Sequence, residues 1–294
     1  MKFSLYSGLG YLMKNYGIEG TAKIAAELGF SGIEFCYFLS GSDSLDIEGA
    51  KEYKKILDKH GLTAPCFTCA TSVVEMKKPD RINADNVRRL CEYLDVAATI
   101  GAPLFHHTVC YATAPEKLNA DFDSVLELAV EGCKTVADYA ARLGIKVIYE
   151  PQGFVFNGVS GLGALLERMK SISSNVGICG DVGNTLFFDE FADGLFAKYP
   201  TDILHVHLKD MKLFSADYDM GERRHYTTRG GQKAIEVEIG KGDIKLDGIF
   251  RTLKSVGYDG FYSIENFKAD SSYEENVRSN QETIKREYYK VFSK

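Results

Sequence analysis

The feature of this sequence that most constrains its fold is a regular alternation of short β-rich runs with longer amphipathic runs, which extends from one end of the chain to the other. The longer runs carry apolar residues at helical spacing, and several end in Gly, as helices commonly do. The short runs are bounded by turn residues and have the length of strands. Eight of them qualify, at residues 3–7, 32–38, 62–68, 103–109, 145–150, 176–181, 203–208 and 261–266.

Eight strand and helix units in 294 residues predict a (β/α)₈ TIM barrel that forms one domain, residues 1–294. Parallel strands covered on both faces explain why the runs are apolar rather than strictly alternating. A doubly wound open sheet is the competing fold, but it would need a GxGxxG turn after its first strand. The sequence has none there, and we expect no nucleotide cofactor.

The unit between the seventh and eighth strands is about twice as long as a barrel requires. Residues 243–257 of this unit predict the expected helix, and residues 213–240 predict an insertion between strand 7 and helix 7, at the mouth of the barrel. A solvated loop is the default expectation. The alternative is a segment that closes over a sugar or anionic ligand or contacts another subunit, through Arg223, Arg224, His225, Tyr226 and Arg229.

Charge and cysteine content exclude several classes of protein. A net charge of -6 and a pI of about 5.6 disfavour nucleic acid as a partner. Seven cysteines, an odd number whose one closely spaced pair is Cys66 and Cys69 in the strand-like segment CFTC, favour reduced thiols and a cytoplasmic location. No run approaches the roughly 18 apolar residues of a membrane helix, and the N-terminal segment is typical of a first strand rather than a signal peptide.

Four consecutive strands end in residues that bind metals. These are Glu150, Asp181, His207 and Glu265. In a TIM barrel the C-terminal ends of the strands converge on the active site, and residues two apart on a strand share a face. One acidic residue after a strand could equally cap a helix, but four in consecutive units favour a site for one divalent ion. Three carboxylates and an imidazole suit Mn²⁺ best, with Mg²⁺, Co²⁺ or Zn²⁺ as alternatives.

The segments YEPQG, GDVGN, HVHLKD and SIENF, in this order, resemble the xylose isomerase-like superfamily of barrels, the sugar phosphate isomerases/epimerases. The resemblance extends over essentially the whole chain, including GIEF and GKGD, and is greatest to the ketose 3-epimerase-like branch. It implies that the four residues hold the metal in this order. It also implies that Glu150 and Glu265 form the catalytic acid/base pair, and that the barrel often assembles into a homo-oligomer, a dimer or tetramer.

These features predict an isomerase or epimerase acting on a small-molecule carbohydrate. One glutamate removes a proton next to a carbonyl, and the metal stabilises the enediolate. The alternative is a lyase or dehydratase that uses the same site on a keto-sugar, a keto-inositol or an oxidised C-glycoside. A DNA-repair endonuclease would need more ligands and a basic surface, and a non-catalytic sugar-binding barrel is a remote alternative.

Asn184 departs from the family pattern, because many relatives have His three residues after the Asp. Asn can bind a sugar hydroxyl but cannot shuttle a proton near neutral pH. This departure keeps the lyase and the binding-protein alternatives open.

Further side chains are predicted to contact substrate, each with a structural alternative. One of the two histidines that end strand 4 should face the mouth. Lys209 and Asp210 bind substrate or form a salt bridge at the rim, and Glu34 is more typical of a buried hydrogen-bonding group. His205 is expected to support the site from below, and Asp243 to cap the following helix rather than to complete a phosphate cradle. The predicted substrate contacts are His106, His107, Asn184, Lys209, Asp210 and Glu34.

Overall fold

A computed structural model describes residues 1–6, 11–37, 44–75, 80–111, 121–153, 155–266 and 273–292. The strands are β1 (Lys2–Tyr6), β2 (Gly32–Tyr37), β3 (Phe67–Cys69), β4 (Leu104–His107), β5 (Lys146–Tyr149), β6 (Val176–Asp181), β7 (Ile203–Leu208), β8 (Asp210–Phe214), β9 (Tyr226–Thr227), β10 (Lys233–Val237) and β11 (Phe261–Ile264). The helices are α1 (Tyr11–Glu27), α2 (Ile47–Lys59), α3 (Ala84–Ile100), α4 (Phe122–Arg142), α5 (Val159–Ile172), α6 (Asp193–Lys198), α7 (Leu246–Ser255) and α8 (Tyr273–Phe292), with a 3₁₀ helix at Asn184–Phe188.

Eight parallel strands close into a barrel in the order β1-β11-β7-β6-β5-β4-β3-β2. The first strand pairs with the last, in a register that sets Lys2 opposite Phe261. The predicted (β/α)₈ barrel is therefore confirmed, and each of the eight predicted strands overlaps a barrel strand.

The barrel strands β3 and β4 are shorter than predicted. Within the segment 62–66, only an isolated bridge between Thr63 and Gly32 precedes β3. Positions 7 and 38, at the ends of the first two predicted strands, lie outside the described residues.

Local sequence sets the helix ends. The Asp46 carboxylate accepts the backbone N–H of Gly49 at the start of α2. Asn83 does the same for Asn86 at the start of α3. Gly101 ends α3 with a φ of 87°, a left-handed conformation that glycine adopts without strain.

The two faces of the barrel wall differ in chemistry. On the outer face Phe35, Phe67 and Phe105 lie on adjacent strands, and their rings stack at centroid distances of 6.4 and 6.2 Å. The inner face carries buried polar side chains instead. They include Ser4, Glu34, Thr68, His106, His205 and Ser263. Most of the apolar core therefore lies between the barrel and its helices, and the barrel interior holds these polar groups together with a small apolar cluster of Cys66, Ile148 and Cys179.

The insertion is a solvated loop only in part: residues 215–225 are irregular and mostly exposed, but the segments on either side of them form a three-stranded sheet. β10 pairs antiparallel with both β8 and β9 in the order β8-β10-β9, and β8 starts before the predicted boundary at residue 213. The carboxylate of Asp189, which has a positive φ of 59°, accepts bonds from Thr228 Oγ1 and the Gly230 N–H. The insertion is thus tied to the segment that follows β6. The predicted helix of this unit is present as α7.

Among the described residues, no helix combines the length and the apolar character needed to cross a bilayer.

Candidate metal centre

Four neighbouring strands carry the four predicted ligands to one end of the barrel. Asp181 is the last residue of β6 and His207 lies in β7, while Glu150 and Glu265 directly follow β5 and β11. The register sets Asp181 opposite His207. One ligand atom of each residue lies within 4.8 Å of the others. The structure therefore brings together the four residues that the sequence singles out.

The imidazole of His207 lies at the centre of this cluster. Its Nδ1 atom is 2.7 Å from Glu150 Oε1, 2.9 Å from Glu265 Oε2 and 3.9 Å from Asp181 Oδ2. Ligands that each lie about 2.1 Å from one ion are roughly 3 to 4 Å from one another. The separations in the cluster fit this geometry.

Asp181 is oriented by the backbone that follows it. Its Oδ1 atom accepts the N–H groups of Gly183 at 2.8 Å and Asn184 at 2.6 Å. These bonds direct Oδ2 toward His207 and Lys209. A side chain at position 183 would meet Lys209, because a Cβ there would lie 2.8 Å from Lys209 Cγ.

Lys209 and Asn184, two of the predicted substrate contacts, lie at the cluster. Lys209 Nζ is 2.9 Å from Asp181 Oδ2, 3.1 Å from Glu265 Oε2 and 3.2 Å from Asn184 Oδ1. Burial opposes the charge of Lys209, but the surrounding carboxylates raise its pKa well above the ordinary value. Lys209 therefore remains an ammonium group beside the predicted ligands.

The two glutamates have opposite electrostatic environments. Burial raises the pKa of Glu150 to about 8, and the negative charges of Asp181 and Glu265 act in the same direction. Burial also acts to raise the pKa of Glu265, but Lys209 and His207 outweigh it and lower that pKa to about 2. At neutral pH and without a cation, Glu150 holds a proton and Glu265 is ionised.

The cluster as a whole is short of positive charge. Burial acts to lower the pKa of His207, but Cys179 and the carboxylates of Glu34, Glu265 and Glu150 raise it well above its ordinary value. The protons on His207 and Glu150 thus compensate for buried carboxylates that Lys209 alone does not balance.

A divalent ion would supply the missing charge, and an oxygen-rich set with one imidazole is a donor set that such ions accept. Glu150, Asp181, His207 and Glu265 are the residues that would hold it. The described residues contain two further groups of possible ligands, and both share His207. Glu34 and His205 form one with it, and Glu150 and Cys179 form the other.

Glu34 lies beneath His207, inside the barrel. Its Oε1 is 3.0 Å from His207 Nε2 and accepts a bond from Thr68 Oγ1, and its Oε2 is 2.8 Å from His205 Nε2. Burial acts to raise the pKa of Glu34, but the two histidines hold it well below the ordinary value. The structure therefore shows the buried hydrogen-bonding role expected of Glu34, in place of a substrate contact, and puts His205 below the site.

The two histidines of β4 point in opposite directions. His106 faces the cluster, with Nε2 3.7 Å from Glu150 Oε2, and its ring nitrogens have no hydrogen-bond partner among the described residues. Burial lowers its pKa to about 3, so it is neutral. His107 instead packs against Tyr149 in the layer outside the barrel. The structure does not bring His107 to the site, because adjacent residues of a strand lie on opposite faces.

Asp210 is likewise directed away from the cluster. Its buried carboxylate accepts the N–H groups of Met211, Gly240, Gly242 and Ile244. A Cβ at position 242 would lie 2.1 Å from Asp210 Oδ1, so the close approach requires glycine. Asp210 therefore holds the GKGD loop through these hydrogen bonds and does not contact substrate. Its negative charge disfavours a phosphate at this loop.

Asp243 does not cap α7, contrary to the prediction. The N-cap residue is Lys245, which makes no side-chain cap bond. Asp243 instead pairs with Lys212 at 2.6 Å and accepts the Leu213 N–H at 2.8 Å. The carboxylate stabilises β8, which the sequence did not predict.

The sequence analysis did not predict two residues that lie near the site. The Tyr6 ring lies edge-on to His207 at 5.4 Å, and residue alternation along β1 could have placed it inside the barrel. Asn157 donates to the carbonyl groups of Asn184 and Pro151, at 2.8 and 3.3 Å. It joins the loops after β5 and β6, but it lies in an irregular segment where no periodicity marks it.

The strand ends of a closed parallel barrel thus bring three carboxylates and a histidine together, which defines a (β/α)₈ protein with a candidate metal site. The chain belongs to the xylose isomerase-like TIM barrel family, whose sequence model matches residues 22–287. The resemblance that the short motifs suggest is thus confirmed at the level of the family.

Curated relatives match over part of their length. An inosose dehydratase from Geobacillus thermodenitrificans is 24% identical over 140 residues, which are 47% of this chain and 46% of the relative. The uncharacterised protein MJ1311 from Methanocaldococcus jannaschii is 29% identical over 157 residues, 51% of this chain and 44% of the relative. The matched part of the chain thus spans about half the length of these relatives.

Solved structures match over nearly the whole chain and support the fold. The IolI protein with a bound zinc atom has a TM-score of 0.73 and 16% identity, with full coverage of both chains. A D-tagatose 3-epimerase-like protein has a TM-score of 0.71 and 21% identity, and covers 100% of this chain and 99% of its own. The probable 3-DHS dehydratase AsbF from Bacillus anthracis has a TM-score of 0.68 and 15% identity, with coverage of 97% and 99%.

Proposed function

We propose that the protein is a divalent-metal-dependent sugar isomerase or epimerase. It would remove a proton from the carbon next to a carbonyl group and return it to the same or the adjacent carbon. The observation that carries this proposal is the pair Glu150 and Glu265, two glutamates that each place a carboxylate oxygen within 4.8 Å of ligand atoms of Asp181 and His207. Such a pair supplies an acid and a base in the same site.

Different residues of the site would carry out proton transfer and substrate binding. One of the two glutamates, Glu150 or Glu265, can accept the carbon-bound proton as an ionised carboxylate, and the proton is then returned to the same or the adjacent carbon by this pair. The neutral His106 can donate to or accept from a substrate hydroxyl group. The bound cation, for which Mn²⁺ is our first choice, would stabilise the negative charge that develops on the substrate oxygens.

The test is proton exchange with solvent. We expect the protein with Mn²⁺ to introduce deuterium from D₂O next to the carbonyl of a free ketose such as D-fructose or D-tagatose, as followed by NMR and mass spectrometry. Chelation of the metal and the Glu265→Gln variant should each abolish the exchange. Full exchange after complete removal of metal would contradict the proposal.

A dehydratase is the second candidate, because inosose dehydratases are among the relatives and AsbF among the structural neighbours. The ammonium group of Lys209, next to Asp181 and Glu265, could protonate a leaving hydroxyl group after the same proton abstraction. Incubation with a keto-inositol separates the two candidates, since loss of water lowers the product mass and isomerisation does not.

A further inference from the structure

The polar residues beneath the cluster suggest a role that the proposed reaction does not use. We infer that Glu34 is a positioning residue that fixes His207 with its proton on Nε2 and its Nδ1 lone pair toward the metal, and that it strengthens metal binding. This inference rests on the proposed metal centre. It assigns Glu34 an effect on metal affinity and not on proton transfer.

The contacts of Glu34 carry the inference. Its carboxylate lies between two imidazole nitrogens, His207 Nε2 at 3.0 Å and His205 Nε2 at 2.8 Å. Thr68 Oγ1 donates to the same carboxylate at 2.9 Å. Glu34, Thr68 and His205 are all at most 1% exposed, so water does not compete for these bonds.

The chemistry of the two groups decides where the proton of His207 lies when a metal is bound. Glu34 Oε1 already accepts a hydrogen bond from Thr68 Oγ1, so it acts as an acceptor toward His207 Nε2 at 3.0 Å, and that nitrogen carries the proton. The other nitrogen, Nδ1, is then the ligand atom, and it lies 2.7 Å from Glu150 Oε1 and 2.9 Å from Glu265 Oε2. A carboxylate behind a metal-binding histidine fixes its ring and raises its basicity.

Substitution of Glu34 tests the inference through binding of Co²⁺ alone, measured by chelator competition and by the visible spectrum of the bound ion. Glu34→Gln keeps an acceptor but removes the charge, and should weaken binding about 10-fold. Glu34→Met keeps the length but removes the acceptor, and should weaken it about 100-fold. Thr68→Val, which leaves both imidazole contacts, should have a smaller effect.

Glu190→Gln is the matched control. Glu190 caps α5 through a bond from the Val159 N–H at 2.7 Å and lies outside the cluster, so its substitution should leave Co²⁺ affinity unchanged. Each variant is compared by circular dichroism to establish that it folds. Wild-type affinity and spectrum in a folded Glu34→Met variant would overturn the inference, as would binding of a second Co²⁺ ion that Glu34→Met abolishes.

The wild-type protein offers a test that does not depend on the folding of a variant. With ¹⁵N-labelled histidine and bound Zn²⁺, NMR should show His207 protonated at Nε2 and coordinated through Nδ1. Coordination through Nε2 would overturn the inference, even if proton exchange with sugars is observed. Conversely, a protein that binds metal through Nδ1 but exchanges no proton would contradict the proposed function alone.

Discussion

The two faces of the barrel wall are built from neighbouring residues of the same strands, yet they have opposite chemistry. On β2, β3 and β4 the outward residues are Phe35, Phe67 and Phe105, and one position away on each strand lies an inward polar residue. Both sets are buried. Burial of the aromatic set stabilises the fold, whereas burial of polar groups costs stability unless partners or a ligand compensate for it. The comparison shows that burial alone does not distinguish a core residue from a functional one.

The largest effect is expected on the inner face. Glu150→Gln should lower the rate of proton exchange by about 10²- to 10⁴-fold, because it removes a group that transfers the proton. The metal-free variant should be no less stable than the wild type, since a buried acidic group is replaced by a neutral one. Exchange kinetics and thermal unfolding measure the two effects. An unchanged exchange rate would remove Glu150 from the proposed mechanism.

The outer face should respond in the opposite way. Phe67→Ala should lower the free energy of unfolding by about 3 to 5 kcal/mol, because it leaves a cavity between two stacked rings. Affinity for Mn²⁺ in the folded variant should be unchanged. Urea unfolding and metal titration test this, with Phe67→Leu as a milder control. Loss of metal binding in folded Phe67→Ala would show that the two faces are coupled.

Removal of the metal should change how the free energy of unfolding depends on pH, because it leaves buried charges on the inner face without a cation. At a metal concentration of 100 times Kd, the bound ion should add about 2.7 kcal/mol to the free energy of unfolding. The pKa of Glu150 in the metal-free folded protein is about 8, against an ordinary value of 4.5. Unfolding therefore releases a proton between these pH values, so the metal-free protein should lose stability as the pH rises from 5 to 8. The metal-bound protein should lose less, which thermal unfolding with and without chelator can check. An equal loss in both would argue against Glu150 as a ligand.

Substitution of Asp210 tests how much a hydrogen-bonded, buried carboxylate outside the barrel interior contributes to stability. Asp210→Asn should lower the free energy of unfolding by about 1 to 3 kcal/mol, because an amide group cannot accept all four backbone N–H bonds. Metal affinity should be retained, since Asp210 is directed away from the cluster. Asp243→Asn, which changes a more exposed carboxylate of the same loop, should cost less. Loss of metal binding with intact stability in Asp210→Asn would contradict the assignment.

The sequence predicts the barrel from its periodicity, and the four clustered residues from their positions at the C-terminal ends of predicted strands and from the order of the motifs that contain them. Residues two apart share a face, so Asp181, His207 and Glu265 each lie on one face with residues two positions before them, and the structure shows that these faces are the barrel interior. The same rule left His106 and His107 undecided, because the face of β4 depends on its register with β3 and β5. That register is set by packing that a single sequence does not display.

Other features depend on contacts between distant segments. β8 ends at Phe214 and pairs with β10, which starts only at Lys233. Asp210 accepts a hydrogen bond from the loop thirty residues further along the chain. Glu34 meets His207 across 173 positions of the sequence. Nothing in the local composition around these residues distinguishes a structural carboxylate from a substrate contact.

The four clustered residues all come from the second half of the chain, where they lie on or directly after β5, β6, β7 and β11, which are neighbours in the barrel. The described ends of β1 and β4 contribute Tyr6 and His106 to the same space, but none of the four. Substitutions at Tyr6 and His106 would therefore change groups that line the site without removing any of the four. In the proposed enzyme, such a division would let substrate preference change separately from metal binding.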